Sequence, residues 1–219
     1  MARLFIALDF DGTITRRDTL HVIVERFGTR GLWAQLEPLL RSGEITIEEA
    51  MEREFASVRA TPEEVLQVVL DEAGVRPGFG ELVDWARSED HRLAVLSNGF
   101  RRVIDAVLAS AGLAHLPVSS HDAEFGADGC RLVWAERGVR CEHCERHCKR
   151  HDLHGMWEGE ELVYVGDGIS DRCVAPLADT IFARAGLAEY LAGEDVPFVP
   201  FDDFHDVLDH LRGPVASAA

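Results

Sequence analysis

Leu4-Phe5-Ile6-Ala7-Leu8-Asp9-Phe10-Asp11-Gly12-Thr13-Ile14-Thr15 is an apolar run that ends abruptly in two carboxylates, a glycine and a threonine. Five consecutive apolar residues without helical punctuation predict a strand covered on both faces, the kind found in a parallel sheet between helical layers. Along an extended segment, side chains two apart share a direction, so Asp9 and Asp11 are expected in one crevice while Phe10 points into the core. Two carboxylates that close repel each other unless a cation or a shared proton compensates. The strand therefore predicts a divalent metal site at its carboxyl end.

The same pattern recurs twice. A strand predicted over 92–96 ends in Ser97-Asn98-Gly99, and one over 161–165 ends in Gly166-Asp167-Gly168-Ile169-Ser170-Asp171. In a parallel sheet the carboxyl ends of the strands open on one edge, which brings these segments together. Each is weak alone: Asp-x-Asp is commonly a solvated turn, Ser-Asn-Gly a turn, and Gly-Asp a strand end with a helix cap at Ser170. Their succession on buried strands carries the argument. Carboxylates for a hard cation, a hydroxyl before a helix start and an ammonium together suit a phosphate ester with Mg²⁺.

That ammonium is singular. Of 22 basic residues, Lys149 is the only lysine. An ammonium is a compact point charge where guanidinium is a broad planar fork. With 39 acidic residues the net charge is −17, which repels nucleic acid and anionic membrane surfaces and requires a local positive site for any anionic substrate. The 219 residues suffice for a core domain with an insertion, and no stretch has the length of a membrane span or a signal peptide, so the expected location is the cytoplasm.

Residues 16–76 break the α/β rhythm. Helical spacing is read over 19–27 and 29–40; Thr46 starts a third helix with Glu48 and Glu49 in its first turn, and Thr61-Pro62-Glu63-Glu64 opens a fourth. The expected architecture is a Rossmann-like, three-layer parallel-sheet core over 1–15 and 77–213, a helical cap over 16–76 and a disordered tail at 214–219. Later elements are a helix over 79–88, a helix from about 100 towards 112, an apolar stretch at 116–119, a hairpin of 122–125 with 130–135, a strand over 180–183 and a final helix over 203–211.

Taken in order, Asp9-Phe10-Asp11-Gly12-Thr13, Ser97-Asn98-Gly99, Lys149 and Gly166-Asp167-Gly168-Ile169-Ser170-Asp171 resemble the four motifs of the haloacid dehalogenase superfamily, in its phosphoserine phosphatase-like branch, over essentially the whole chain. The insertion matches the position of that superfamily's type 1 cap. Three further features resemble the 2-hydroxy-3-keto-5-methylthiopentenyl-1-phosphate phosphatases of methionine salvage: cysteines directly before the lysine, Val75-Arg76-Pro77-Gly78-Phe79 after the cap, and Phe182-Ala183-Arg184.

The resemblance implies a Mg²⁺-dependent phosphomonoester hydrolase acting on a small phosphorylated metabolite. It makes Asp9 the nucleophile that forms an aspartyl-phosphate, and Asp11 the acid and base. Mg²⁺ would be held by the Asp9 carboxylate, the Asp11 backbone carbonyl and Asp167, with Asp171 completing or orienting the shell. Gly12, Thr13, Ser97, Asn98, Gly99 and Lys149 would receive the phosphate. In phosphoserine phosphatases an acid after the first motif and a cap arginine hold the amino acid. Asp18 matches the former, but the arginine's place falls on Glu54 with Arg53 adjacent. This departure weakens the phosphoserine reading and leaves Asp18 and Arg53 as candidate contacts to a sugar-like or keto-enol leaving group. A phosphoserine or other small-metabolite phosphatase, and a catalytically idle metal- or phosphate-binding regulator, stay open, as does a homodimer.

Cys141, Cys144 and Cys148, with His143, His147, His151 and His154 interleaved, form a second cluster. Thiolate and imidazole suit a structural Zn²⁺. Packing or loop cysteines and a redox-sensitive thiol pair are the alternatives. Cys130 and Cys173 are read as small core residues.

Overall fold

The structure, a computed structural model, describes residues 2–135, 141, 142, 144 and 148–213. Strand β1 (Leu4–Leu8) is buried along its whole length and lies at the centre of a seven-stranded sheet of order β4-β3-β2-β1-β5-β6-β7. The others are β2 (Arg92–Phe100), β3 (Val118–Gly126), β4 (Gly129–Val133), β5 (Glu161–Gly166), β6 (Thr180–Ala183) and β7 (Val199–Pro200). Every pairing is parallel except the hairpin of β3 with β4. Leu8 is in register with Val95 on one side and Val165 on the other, so the three polar strand ends emerge side by side.

Alternation along β1 sorts its side chains into two cores. Leu4, Ile6 and Leu8 join Val163 and Val165 beneath α5 (Phe79–Ser88), α6 (Arg101–Ser110) and α9 (Phe204–Arg212). Phe5 and Ala7 join Leu96, Leu162 and Tyr164 against α7 (Lys149–Met156) and α8 (Ala185–Gly193). The three-layer α/β reading therefore holds.

Four helices are inserted after β1: α1 (Thr19–Phe27), α2 (Trp33–Ser42), α3 (Ile47–Phe55) and α4 (Pro62–Glu72). Reciprocal capping boxes, Thr46 with Glu49 and Thr61 with Glu64, fix the starts of α3 and α4. Helix α2 begins four residues later than its periodicity suggests, because Gly31 has φ of +75° and Leu32 offers no capping side chain. Val22, Ile23, Met51, Phe55, Val65 and Val69 share one apolar core with Phe10, Phe100 and Ile104; the Phe55 and Phe100 rings meet edge to face at 4.9 Å. A smaller cluster of Leu36, Leu40, Ile45 and Ala50 takes up Ile169 from the sheet side. The two connections to the insertion are joined: Thr15 bridges Val75, Arg16 N–H donates to Gly74 O at 2.8 Å, and Arg76 N–H to Ile14 O at 2.8 Å.

Three expectations change. Strand β2 does not stop at Leu96; it continues to Phe100, with its register to β3 slipping between those residues, so Ser97, Asn98 and Gly99 sit inside an irregular strand end. Residues 116–119 and 122–125 belong largely to one strand, β3, which pairs with β2 in its first half and β4 in its second. Helix α8 and the two-residue β7 lack a clear periodic signal. The tail at 214–219 lies outside the described residues. Among the described residues no helix is long and apolar enough to cross a membrane.

Candidate active site

The chain leaves β1 with Asp9 N–H donating to Val165 O at 2.9 Å, then makes one wide turn closed by Thr15 N–H to Phe10 O at 3.0 Å. Gly12 permits that turn: its φ is +79°, and a Cβ there would stand 2.4 Å from Asp167 Oδ2. Carbonyls exposed by the turn are held by two arginines. Arg76, itself buried, donates to Gly12 O at 2.6 Å, Thr13 O at 2.8 Å and Thr15 O at 3.2 Å, and Arg184 donates to Gly12 O at 3.2 Å.

Lys149 has no exposed surface and reaches Asp9 Oδ1 and Asp171 Oδ1, the latter at 2.7 Å. Asp171 also accepts from Tyr164 OH at 2.6 Å and, through Oδ2, from the amides of Asp167 at 3.1 Å and Gly168 at 3.0 Å. Both its oxygens are thus engaged by the protein. Asp167 accepts from Thr13 Oγ1 at 3.2 Å. Asp11 accepts at Oδ1 from Thr19 N–H at 2.9 Å and Thr19 Oγ1 at 2.5 Å, and at Oδ2 from Ser97 Oγ at 3.3 Å. A Cβ at Gly99 would lie 2.6 Å from Asp11 Oδ2 and 3.0 Å from Ser97 Oγ, so any larger residue there would have to push these side chains aside.

Burial dominates the electrostatics. It raises Asp9 to about 7 against the opposing pull of Lys149, and raises Asp11 to about 7 with help from Asp18. Asp167 is pushed up to about 8 by burial and then by Asp9 and Asp171. Burial works against the Lys149 charge, but Asp171 and Asp9 outweigh it, so the ammonium is held more firmly than in water. Oxygens of Asp9, Asp167 and Asp171 lie within 4.8 Å of one another, a hard, mutually repelling set.

These strand ends floor a cavity of about 340 Å³. Asp9, Asp11, Asp167, Ser97, Asn98 and Gly99 face it from the sheet, and Leu20, Trp33, Ile47, Met51 and Glu54 from the inserted helices. A cleft of about 400 Å³ between α1 and α2 shares His21 and Trp33 but contains none of the convergent acids, so the candidate site is the former.

A model of the haloacid dehalogenase-like hydrolase family matches residues 6–176. The chain belongs to that family. This hydrolase is an enzyme of the phosphoric monoester class, and relatives align over almost its whole length. It is 29% identical over 220 residues to the 2-hydroxy-3-keto-5-methylthiopentenyl-1-phosphate phosphatase of Brevibacillus brevis, with 96% of each chain covered. A substrate-bound phosphoserine phosphatase shares its fold at a TM-score of 0.72 and 15% identity, covering 96% of this chain and 99% of the other. A phospho-aspartyl intermediate analogue of phosphoserine phosphatase does so at 0.71 and 18%, covering 96% and 99%.

Of the residues singled out from the sequence, the hydrolase gathers Asp9, Asp11, Gly12, Thr13, Ser97, Asn98, Gly99, Lys149, Asp167 and Asp171 at one edge of the sheet. Asp18 stands exposed at the mouth, where its side chain caps α1 by accepting from His21 N–H at 3.0 Å. Arg53 is corrected: α3 buries Ala50, Met51, Glu54 and Phe55, which leaves Arg53 on the solvent face. Glu54 takes the cavity position, and burial, then Asp18, raises its carboxyl to about 7. Cys173 is also corrected: its Sγ lies 3.7 Å from those of Cys141 and Cys148, in a cluster with Cys144. Cys130 packs at the edge of the main core, as expected. His143 and His147 lie outside the described residues.

Sequence reasoning missed Tyr164 and Thr19, and the roles of Arg76 and Arg184. In the sequence, Arg76 and Arg184 stand only within stretches that carry the family resemblance. Their signal was the Gly12 turn itself, since an exposed run of carbonyls needs donors.

Proposed function

We propose that the protein is a Mg²⁺-dependent phosphatase for a small ester whose leaving group is uncharged and partly apolar, of the kind represented by 2-hydroxy-3-keto-5-methylthiopentenyl-1-phosphate. The observation that carries the reading is one cavity with Asp9, Asp11 and Asp167 on its floor, the buried Lys149 behind Asp9, and Leu20, Trp33, Ile47 and Met51 beside Glu54 on its roof.

The chemistry follows from the floor. Asp9, anionic when paired with Lys149, attacks phosphorus as the ester P–O bond breaks. Asp11, raised towards neutrality and held by Thr19 and Ser97, gives its proton to the leaving oxygen. Water then attacks the aspartyl-phosphate, losing a proton to Asp11 and returning Asp9. Lys149 offsets charge on Asp9 and on the phosphoryl group, while Ser97, Asn98 and the amides beside Gly99 receive phosphoryl oxygens.

The donor set fits Mg²⁺: it is all oxygen, closely spaced and self-repelling. Asp9, Asp167 and the Asp11 carbonyl would hold the ion, which when bound neutralises acid and phosphoryl charge. Asp171, with both oxygens engaged, acts as the anchor of Lys149 and of the Asp167 loop.

Substrate choice falls to the roof, where the inserted helices act as a cap. Among the described residues no arginine or lysine lines the cavity, and Glu54 occupies a wall where an amino-acid carboxylate would need a cation. A hydroxy-keto chain ending in a thioether suits Leu20, Trp33, Ile47 and Met51 instead. The test is phosphate release from a panel containing the methylthio enol phosphate, phosphoserine, phosphocholine and sugar phosphates, with Mg²⁺ and with excess chelator. The expected result is Mg²⁺-dependent release led by the methylthio ester. Phosphoserine in the lead would overturn the substrate class, and no release from any member would overturn the enzyme.

A further inference from the structure

We propose that Cys141, Cys144, Cys148 and Cys173 form a tetrahedral four-thiolate site for zinc that ties the loop before Lys149 to the segment after Asp171. The geometry is the first support. All four sulfurs lie within 4.8 Å of one another, and two pairs stand at 3.7 Å. Four sulfurs each about 2.3 Å from a tetrahedral zinc are about 3.8 Å apart. None of the five cysteines is in a disulfide, which would need about 2.05 Å between sulfurs.

The composition of the loop is the second support. Residues 141–147 read Cys-Glu-His-Cys-Glu-Arg-His, without one aliphatic or aromatic hydrocarbon side chain. Such a segment has no hydrocarbon side chains with which to hold Cys141 and Cys144 beside Cys148 and Cys173. A metal cross-link supplies that energy directly. The donors also sort the ions: a soft sulfur set selects zinc, whereas the oxygen set at Asp9 and Asp167 suits a hard cation.

The location gives the site a role. Cys148 is the neighbour of Lys149, and Cys173 lies two residues beyond Asp171. Lys149 Nζ and Asp171 Oδ1 meet at 2.7 Å. The thiolate site therefore clamps both partners of that ion pair from outside the cavity, and Cys148 and Cys173 are positioning residues for Lys149. This second half rests on the phosphatase reading; the metal site itself does not.

The full chain, purified without chelator, is expected to carry about one zinc by elemental analysis. Replacing zinc with Co²⁺ should give thiolate-to-cobalt charge transfer and the intense visible bands of tetrahedral sulfur ligation. Cys144→Ser and Cys173→Ser should lose the stoichiometric metal, while Cys130→Ser keeps it. Metal-free protein with no cobalt spectrum, unchanged metal affinity in Cys173→Ser, or a Cys148–Cys173 disulfide in the mass spectrum of protein kept under reducing conditions each overturns the site. Zinc removal should lower kcat about tenfold at saturating Mg²⁺ with KM little changed, and added zinc should restore it. Unchanged kcat after complete removal overturns the positioning role. A zinc-loaded protein inactive on every ester instead defeats the phosphatase reading and leaves the metal site standing.

Discussion

The floor of the cavity is made of strand ends crowded with charge, whereas its roof is made of inserted helices that set Leu20, Trp33, Ile47 and Met51 against it. On the floor each side chain is fixed by another: Lys149 lies between Asp9 and Asp171, and Asp171 accepts four hydrogen bonds. Removing one member leaves its partner buried and uncompensated. The roof works by size and polarity, and its members change one at a time without stranding a charge. Under the proposed function the contrast separates two properties, with turnover set below and substrate choice above.

The separation is broken most directly at Asp9. Asp9→Asn should cost roughly 10⁴-fold or more in kcat while the fold stays intact, since Lys149 keeps Asp171; steady-state kinetics and circular dichroism check both halves. Lys149→Met should lose most turnover and also destabilise the protein by about 3–5 kcal/mol in urea unfolding, because two buried acids lose their common cation. Lys149→Arg should rescue neither fully, as the planar fork does not fit a site with no exposed surface.

On the roof, Trp33→Ala should raise KM about tenfold for an ester with an apolar tail and leave kcat within a few fold. An equal loss of kcat for all esters would erase the division. Glu54→Gln sharpens the contrast through pH. An acid whose folded pKa is raised, here to about 7, binds more protons folded than unfolded between about 4.5 and 7, so its contribution to stability falls as pH rises through that window. Relative to wild type, the glutamine variant should therefore gain up to about 3 kcal/mol between pH 4.5 and pH 8, with the two curves parallel outside the window.

The floor was legible because strand periodicity and short spacings place its acids, whatever the rest of the chain does. Ser97 was found for the same reason, although its strand runs on to Phe100. The roof was less so. Glu54 and Arg53 are adjacent letters, and only the packing of α3 against the core decides which faces the cavity. Cys173 escaped because its partners lie more than two dozen residues earlier in the chain and its local sequence has no spacing signal. Tyr164 read as one more apolar strand residue until its hydroxyl met Asp171 at 2.6 Å.

The bridge between Thr15 and Val75 means that the chain departs for its helical excursion and returns at nearly the same point. A segment whose ends already touch leaves the strand order undisturbed, but Val22, Ile23, Met51, Phe55, Val65 and Val69 share the apolar core with Phe10, Phe100 and Ile104, so any replacement must rebuild that packing. On the proposed reading, the strand-end acids stay unchanged while the residues facing the cavity vary within that packed frame. Because Arg76 follows the return crossing and holds the carbonyls of Gly12 and Thr13, such a replacement must still conclude in that arginine to keep the turn after Asp9 in place.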